Sequence, residues 1–172
     1  GYESRKTDEW SFKGRLNLTK EILVDLTFRT GVNQLATSNI KFDNRNYSIN
    51  QKSLEPRITF TRASNFRLIT GYKYGDKENT TGSMEESSSH SVNTEIKYNI
   101  LQSTSIQGKF TFSDIKFTSI DAVPNPNSTA SYILLEGLQP GKNFIWNLDL
   151  TKRLSNNLEL NIQYERRKAG TA

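Results

Sequence analysis

The feature that most constrains this chain is a strict alternation of apolar and polar residues, repeated along segment after segment. Alternation sends successive side chains to opposite faces of an extended strand. Trp10, Phe12, Leu16 and Leu18 share one face, with Lys13, Arg15 and Asn17 on the other. Ile22, Val24, Leu26 and Phe28 then stand opposite Asp25, Thr27 and Arg29, and Thr19-Lys20-Glu21 leaves room only for a tight turn. Leu54, Ile58 and Phe60 alternate with Glu55, Arg57 and Thr59. After a turn near Arg62-Ala63-Ser64-Asn65, the pattern returns as Phe66, Leu68, Tyr72 and Tyr74. Pro56 interrupts the third segment with a residue that lacks a ladder donor and favours edges or bulges.

Two more hairpins follow. Val92, Ile96, Tyr98 and Ile100 face Ile106, Gly108, Phe110 and Phe112. Pairing Ile100 with Ile106 would set the Tyr98 ring over the bare backbone of Gly108. The alternation slips between Phe112 and Ile115, which predicts a bulge before Phe117. Phe144, Trp146, Leu148 and Leu150 pair with Leu158, Leu160, Ile162 and Tyr164 through a turn at Ser155-Asn156-Asn157. No stretch sustains helical spacing. Tyr132 to Leu138 fits a short helical cap, a folded-over loop or an extra strand, and Gln139-Pro140-Gly141-Lys142 after it is a type II turn sequence. The expectation is an all-β fold in one domain over residues 1–172. Its form is an antiparallel up-and-down meander of about eight strands, a transmembrane β-barrel or a segment of a larger one.

Composition bears on the membrane question only in part. At 34% hydrophobic residues and a mean hydropathy of -0.67, no apolar run approaches a membrane helix. A barrel strand needs an apolar residue only at every second position. Three features favour the barrel over a soluble sheet. Connections within hairpins are short, whereas those between hairpins are long, from Asn33 to Asn46, Asp76 to His90 and Thr118 to Lys142. Most strands carry about four alternating apolar positions, on the order of 25 Å of strand, which matches a lipid-facing band. The aromatics Trp10, Phe12, Phe28, Tyr72, Tyr74, Phe112, Phe117, Phe144, Trp146 and Tyr164 lie toward the long-loop ends, with Phe60, Phe66 and Tyr98 near the short turns. Aromatic girdles give that distribution.

This assigns three sets of residues. Leu16, Leu18, Val24, Leu26, Ile58, Leu68, Ile96, Phe110, Leu148 and Leu160 are expected to face lipid. Trp10, Phe28, Tyr72, Tyr74, Trp146 and Tyr164 are expected at the interface. Arg15, Asp25, Arg57, Lys97, Lys109 and Asp149 are expected to face the lumen, with Arg15 across from Asp25. Both chain ends fall on the long-loop side, whereas complete small barrels begin and end at the short turns. The expectation is therefore a piece of a larger barrel, lacking at least one strand on each side.

One stretch carries a family likeness. Leu135-Glu136-Gly137-Leu138-Gln139-Pro140-Gly141-Lys142-Asn143, Trp146-Asn147-Leu148, Asn157-Leu158-Glu159-Leu160 and Tyr164-Glu165 together resemble the C-terminal region of large surface-exposed outer-membrane proteins of Bacteroides- and Flavobacterium-type bacteria. The resemblance covers Leu135 to Glu165 and implies a bacterial outer-membrane location, a barrel architecture and one further strand. It implies no particular activity.

Signals for chemistry are scarce. There is no cysteine, hence no disulfide framework and no thiolate metal site. The net charge of +5 arises from cations interleaved with acids, apart from Arg166-Arg167-Lys168, so no nucleic-acid partner is expected. His90, beside Ser87, Ser88 and Ser89, reads as an exposed loop residue rather than a catalytic base. Asp76, Glu78, Glu85 and Glu86 lack the spacing of a calcium loop and read as a solvated loop. No enzyme activity, cofactor or metal is expected. The expected role is structural, transport or secretion-channel work in the outer membrane. The expected partners are outer-membrane lipid, further strands of the same protein and accessory surface proteins. The rival is a soluble or surface-attached β-sheet module that binds through its loops.

Overall fold

A computed structural model describes residues 2–38, 41, 45–82, 84–100, 103–119, 128–155 and 158–169. Alternation becomes eight strands: β1 (Glu3–Asn17), β2 (Ile22–Thr37), β3 (Tyr47–Arg62), β4 (Phe66–Asn79), β5 (Glu86–Ile100), β6 (Thr104–Thr118), β7 (Gly141–Ser155) and β8 (Leu158–Ala169). One helix, α1 (Thr129–Leu135), lies between β6 and β7. The strands form a single antiparallel up-and-down sheet in chain order. Among the described residues β1 and β8 each pair with one neighbour only, so the sheet is open.

The turns explain the hairpins. Thr19 Oγ1 accepts from the amides of Glu21 and Ile22 at 3.1 and 3.0 Å, closing β1 on β2. Residues 63–65 turn β3 into β4, with Ala63 at a φ of 52°. Gly141 takes a φ of 88°, the left-handed value that the third position of a type II turn requires. The Asn143 amide closes the same turn onto Gln139 O at 2.7 Å. Asn156 and Asn157, expected in the last turn, lie outside the described residues.

Every rung joins residues of equal parity: Arg15↔Asp25, Asp25↔Arg57, Arg57↔Gly71, Ile69↔Glu95, Glu95↔Lys109, Lys109↔Asn147 and Asn147↔Glu165. Parity is broken only past Arg153, where a register shift precedes Ser155↔Leu158. All eight strands therefore turn their even-numbered residues to one face and their odd-numbered residues to the other.

Several expectations are corrected. β6 has no bulge: it pairs without a break from Thr104↔Ile100 to Thr118↔Glu86. Ile115 and Phe117 are apolar residues on the odd face, where Ile115 is buried and Phe117 packs against the α1 core. Ile100 pairs with Thr104, so Ile96, not Tyr98, stands opposite Gly108. Pro56 sits in an interior strand opposite Leu26. Its missing donor coincides with two skipped rungs of the β3–β4 ladder, between Leu54↔Tyr74 and Arg57↔Gly71, across which the register is unchanged. Of the three connections between hairpins, the one from Thr118 to Gly141 is long as expected and carries α1. The other two are shorter than expected, because pairing continues past the apolar segments, between β2 and β3 up to Leu35↔Tyr47 and between β4 and β5 up to Glu78↔Glu86. His90, Asp76, Glu78 and Glu86 therefore lie in strands rather than in a loop. Beyond the apolar band the even face is polar, and the odd face of β4 and β5 is covered at small or polar residues such as Gly75, Asn79 and Ser87, so pairing continues without apolar alternation.

Within β2, Gly31 has a steric role. A Cβ at that position would lie 2.5 Å from the Asp8 carbonyl oxygen. Only glycine allows the two backbones to run so close opposite Glu9.

Candidate functional site

The even face is apolar and open. Leu16, Leu18, Leu26, Ile58, Ile96, Phe110, Leu148 and Leu160 are exposed, Leu16 at 59% and Ile58 at 52%. Val24 and Leu68 share the face and are half-buried among their neighbours. Every exposed large apolar side chain among the described residues carries an even number. Phe60, Phe66 and Tyr98 meet edge to face at the short-turn end, with ring centroids 6.1 and 6.4 Å apart.

At the other end the band stops at aromatic residues. On the even face, Trp10 is followed outward by Asp8 and Lys6, Phe28 by Thr30, and Leu54 by Lys52. Tyr74 is followed by Asp76, Phe144 by Lys142 and Tyr164 by Arg166. Tyr72 and Tyr74 both reach His90, with Tyr72 Oη 2.6 Å from His90 Nδ1. Trp146 is half-buried under Arg166, whose Cζ lies 5.6 Å from the ring centroid. Among the aromatics toward the long-loop ends, Phe117 is the exception, since it packs on the odd face.

The edge of this band runs obliquely across the ladder. Phe28, Leu54 and Tyr74 share one rung, but that rung continues into His90, Asp114 and Lys142. On β5, β6 and β7 the top apolar rung is the next one in, Val92–Phe112–Phe144. On β8 the last ring, Tyr164, stands opposite Leu148, two even-face rungs further in. The Leu148 rung runs back through Gly108, Ile96, Leu68 and Phe60 to Ile22, beside Leu18. Trp10 lies eight residues from Leu18 along β1, and the lower edge of the band drifts less. Averaged over both edges, with ~3.3 Å per residue and ~4.8 Å between strands, the band lies roughly 30° off the perpendicular to the strands.

The odd face is polar and concave. Arg15 Nε donates to Asp25 Oδ1 at 2.7 Å, Arg57 pairs with Glu55 at 2.6 Å, and Gln107 Nε2 donates to Glu95 Oε1 at 3.0 Å. Lys97, Lys109 and Asp149 share this face, on rungs with Gln107, Glu95 and Gln163. A hollow of about 800 Å³ opens on this side at the short turns, lined by Asn65, Asn99, Ser105, Thr151, Arg153 and Glu159.

At the opposite end the concavity is filled by α1. Leu134 and Ala130 pack on Leu35, Tyr47 and Ile49, with Phe117 and Ile133 beside them. These contacts span β2 to β6, which a seven-residue helix reaches only if the sheet curls around it. Polar contacts fix its pose. Ser128 caps the helix by accepting from the Ser131 amide at 3.3 Å. The Ser131 hydroxyl donates to Glu85, whose carboxylate is 3% exposed and also accepts from Asn79 Nδ2 at 3.3 Å. Glu85 thus departs from the solvated loop expected of it. Ser87 Oγ donates to Leu134 O at 3.0 Å.

The C-terminal end is held by two lysines of β4. Lys77 Nζ donates to Ile133 O and to Glu136 Oε1, both at 3.0 Å, and Lys73 Nζ reaches the same oxygen at 3.0 Å. Burial acts to raise the Glu136 carboxyl; Lys77 and Lys73 outweigh it and hold the group below its ordinary 4.5. Glu136 ends the helix in the left-handed region, at φ 54° and ψ 31°. Sequence reasoning left Tyr132 to Leu138 undecided. The signal available was the run of odd-face apolar residues Leu35, Ile49, Ile115 and Phe117, which needs a cover.

Among the described residues no group of histidine, cysteine, aspartate or glutamate is arranged to hold a metal ion. No helix is long and apolar enough to cross a membrane. No family model, curated protein or solved structure matches the chain.

Proposed function

We propose that this sheet is part of the wall of an outer-membrane β-barrel, with its even face toward lipid and its odd face toward the lumen. The observation that carries the reading is the segregation by parity: exposed apolar side chains on one face of all eight strands, between aromatic rows and flanked outward by charged residues. From Trp10 on β1 to Leu18 just past its end the band covers about 26 Å of strand, about 23 Å across once the tilt of roughly 30° is removed. Side-chain reach brings that close to the ~25 Å apolar height of an outer-membrane barrel. The oblique course supports the same reading, since barrel strands tilt by ~35–45° and a lipid layer cuts across them at that angle.

The rival soluble module needs a layer over its apolar face. The one helix among the described residues covers the opposite, polar face. On the barrel reading that placement makes α1 a stopper on the lumen side of the long-loop end, and the open edges of β1 and β8 take further strands. The role is structural, with transport or secretion through the completed wall. The resemblance of the Leu135 to Glu165 region points to the same location. Lipid, additional strands and accessory surface proteins are the partners.

Arginine substitution tests this. At Leu26 or Leu148, on the lipid face, it should cost about 2–4 kcal/mol of stability in bilayers, and at Thr27 almost nothing. Monodisperse behaviour of the chain in plain buffer, with equal tolerance of arginine on both faces, would sink the proposal.

A further inference from the structure

The outward face carries a cluster of cations that no ion pair absorbs. Lys116, Lys142, Arg166 and Lys168 are all even-numbered and exposed, on β6, β7 and β8, beyond the apolar band. Lys168 stands opposite Phe144, Arg166 opposite Trp146, and Lys142 next outward from Phe144. Three cations therefore ring two aromatic side chains at the band's edge. Among the described residues none of the four has a carboxylate within ion-pair distance. Asp114, opposite Lys142, is the one acid on this part of the face. On the odd face Arg15, Arg57, Lys73, Lys77 and Arg167 are paired to carboxylates, whereas among the described residues Lys13, Arg29, Arg67, Lys97, Lys109 and Arg153 are not. What sets the even-face cations apart is their place around the Phe144 and Trp146 rings. At the same level β4 and β5 present Asp76, Glu78 and Glu86, so the surplus is local and not a property of the whole rim.

We infer that Lys142, Arg166 and Lys168 bind the phosphate groups of anionic lipids packed against the Phe144–Trp146 edge of the wall. The inference rests on the membrane reading and deepens it by naming a lipid class and a place. The chemistry fits. Long basic side chains at the end of an apolar band lay their stems along it and lift their heads to the phosphate layer. Arg166 is held over the Trp146 ring, which orients its planar fork, a good match for a phosphate. Leaving these cations without acidic partners keeps them available to an external anion.

Vesicle flotation of the 172-residue chain tests the site, using phosphatidylcholine alone or mixed with phosphatidylglycerol. The chain should partition more strongly into the mixed vesicles. The triple variant Lys142→Gln/Arg166→Gln/Lys168→Gln should lose that preference, by roughly fivefold per cation removed, while its partition into neutral vesicles stays unchanged. A variant with the same loss of charge on the other face, Arg67→Gln/Lys97→Gln/Lys109→Gln, should keep the preference. The inference is overturned if the first variant retains the preference, or if the second loses as much, which would make it an effect of net charge. It is also overturned if inorganic phosphate at matched ionic strength abolishes the preference, since the site would then take free anions. A chain that ignores neutral vesicles counts against the wall reading, whereas the site stands or falls on the difference between the two compositions.

Discussion

Arg15 and Asp25 meet across the first hairpin at 2.7 Å, on the face opposite Leu16 and Val24. The pair marks the polar side of the sheet, yet Arg15 is 69% exposed and water screens much of the attraction. A double-mutant cycle with Arg15→Ala and Asp25→Ala should return a coupling of under about 1 kcal/mol in urea unfolding. Register comes from the turn and from the apolar face. The hairpin should therefore survive the double substitution with its Leu16↔Val24 rung intact, readable as a cross-strand NMR contact.

Ile49 and Ile58 lie on the same strand and face opposite ways. Ile49 is fully enclosed by the α1 contact, whereas Ile58 is open on the even face. Ile49→Ala should cost about 2–5 kcal/mol, because the cavity it leaves is walled by Leu35, Tyr47 and Leu134. Ile58→Ala should cost well under that, since surrounding lipid or detergent can fill the space. Equal losses in parallel denaturant titrations would contradict the two-faced reading.

The Glu136 clamp should respond to acid. Its folded-state pKa lies below the ordinary value, so its contribution is fully present above about pH 4.5 and is lost as pH falls through the folded value. The protection factors of the Thr129–Leu135 amides, which remove the intrinsic pH dependence of exchange, should fall as pH drops through the folded value. Glu136→Gln should loosen the helix by roughly 1 kcal/mol, discounted for the solvent that reaches the group. Glu136→Gly should do less harm, because it removes a left-handed strain of about 1–2 kcal/mol along with the clamp.

Gly31→Ala should break the close approach of β2 to β1. The new methyl would meet the Asp8 carbonyl, and forcing the backbones apart should cost about 1–3 kcal/mol. The damage should stay in the outer part of the first hairpin, seen as faster amide exchange from Glu3 to Glu9 with the Arg15–Asp25 region unchanged.

The hairpins, their short turns and the division of faces were legible because they are local: Trp10 to Phe28 contains its own partner strand and its own turn. The odd-face core was not. Ile115 and Phe117 read as a slip in the alternation because both are covered on the odd face, Phe117 by the core of Ala130 and Leu134, residues whose own segment gives no helical period. Strand ends were missed for a different reason. Past Trp10 neither face of β1 is buried, and past Tyr74 the covered odd-face positions of β4 are Gly75, Lys77 and Asn79, so Glu3–Glu9 and Asp76–Asn79 stay paired with no apolar pattern to announce it. His90 looked like a loop residue among serines for the same cause. The assignment of Arg15, Asp25, Arg57, Lys97, Lys109 and Asp149 to one face holds by parity alone, as it does for the apolar set.

The oblique course of the apolar band has a consequence for size. Strands inclined by roughly 30° and spaced ~4.8 Å apart each take up about 5–6 Å of perimeter. The eight seen here therefore lay out an arc of about 45 Å. On the proposed barrel reading each additional strand would lengthen the circuit by the same increment, and a single measurement of pore diameter would count its staves.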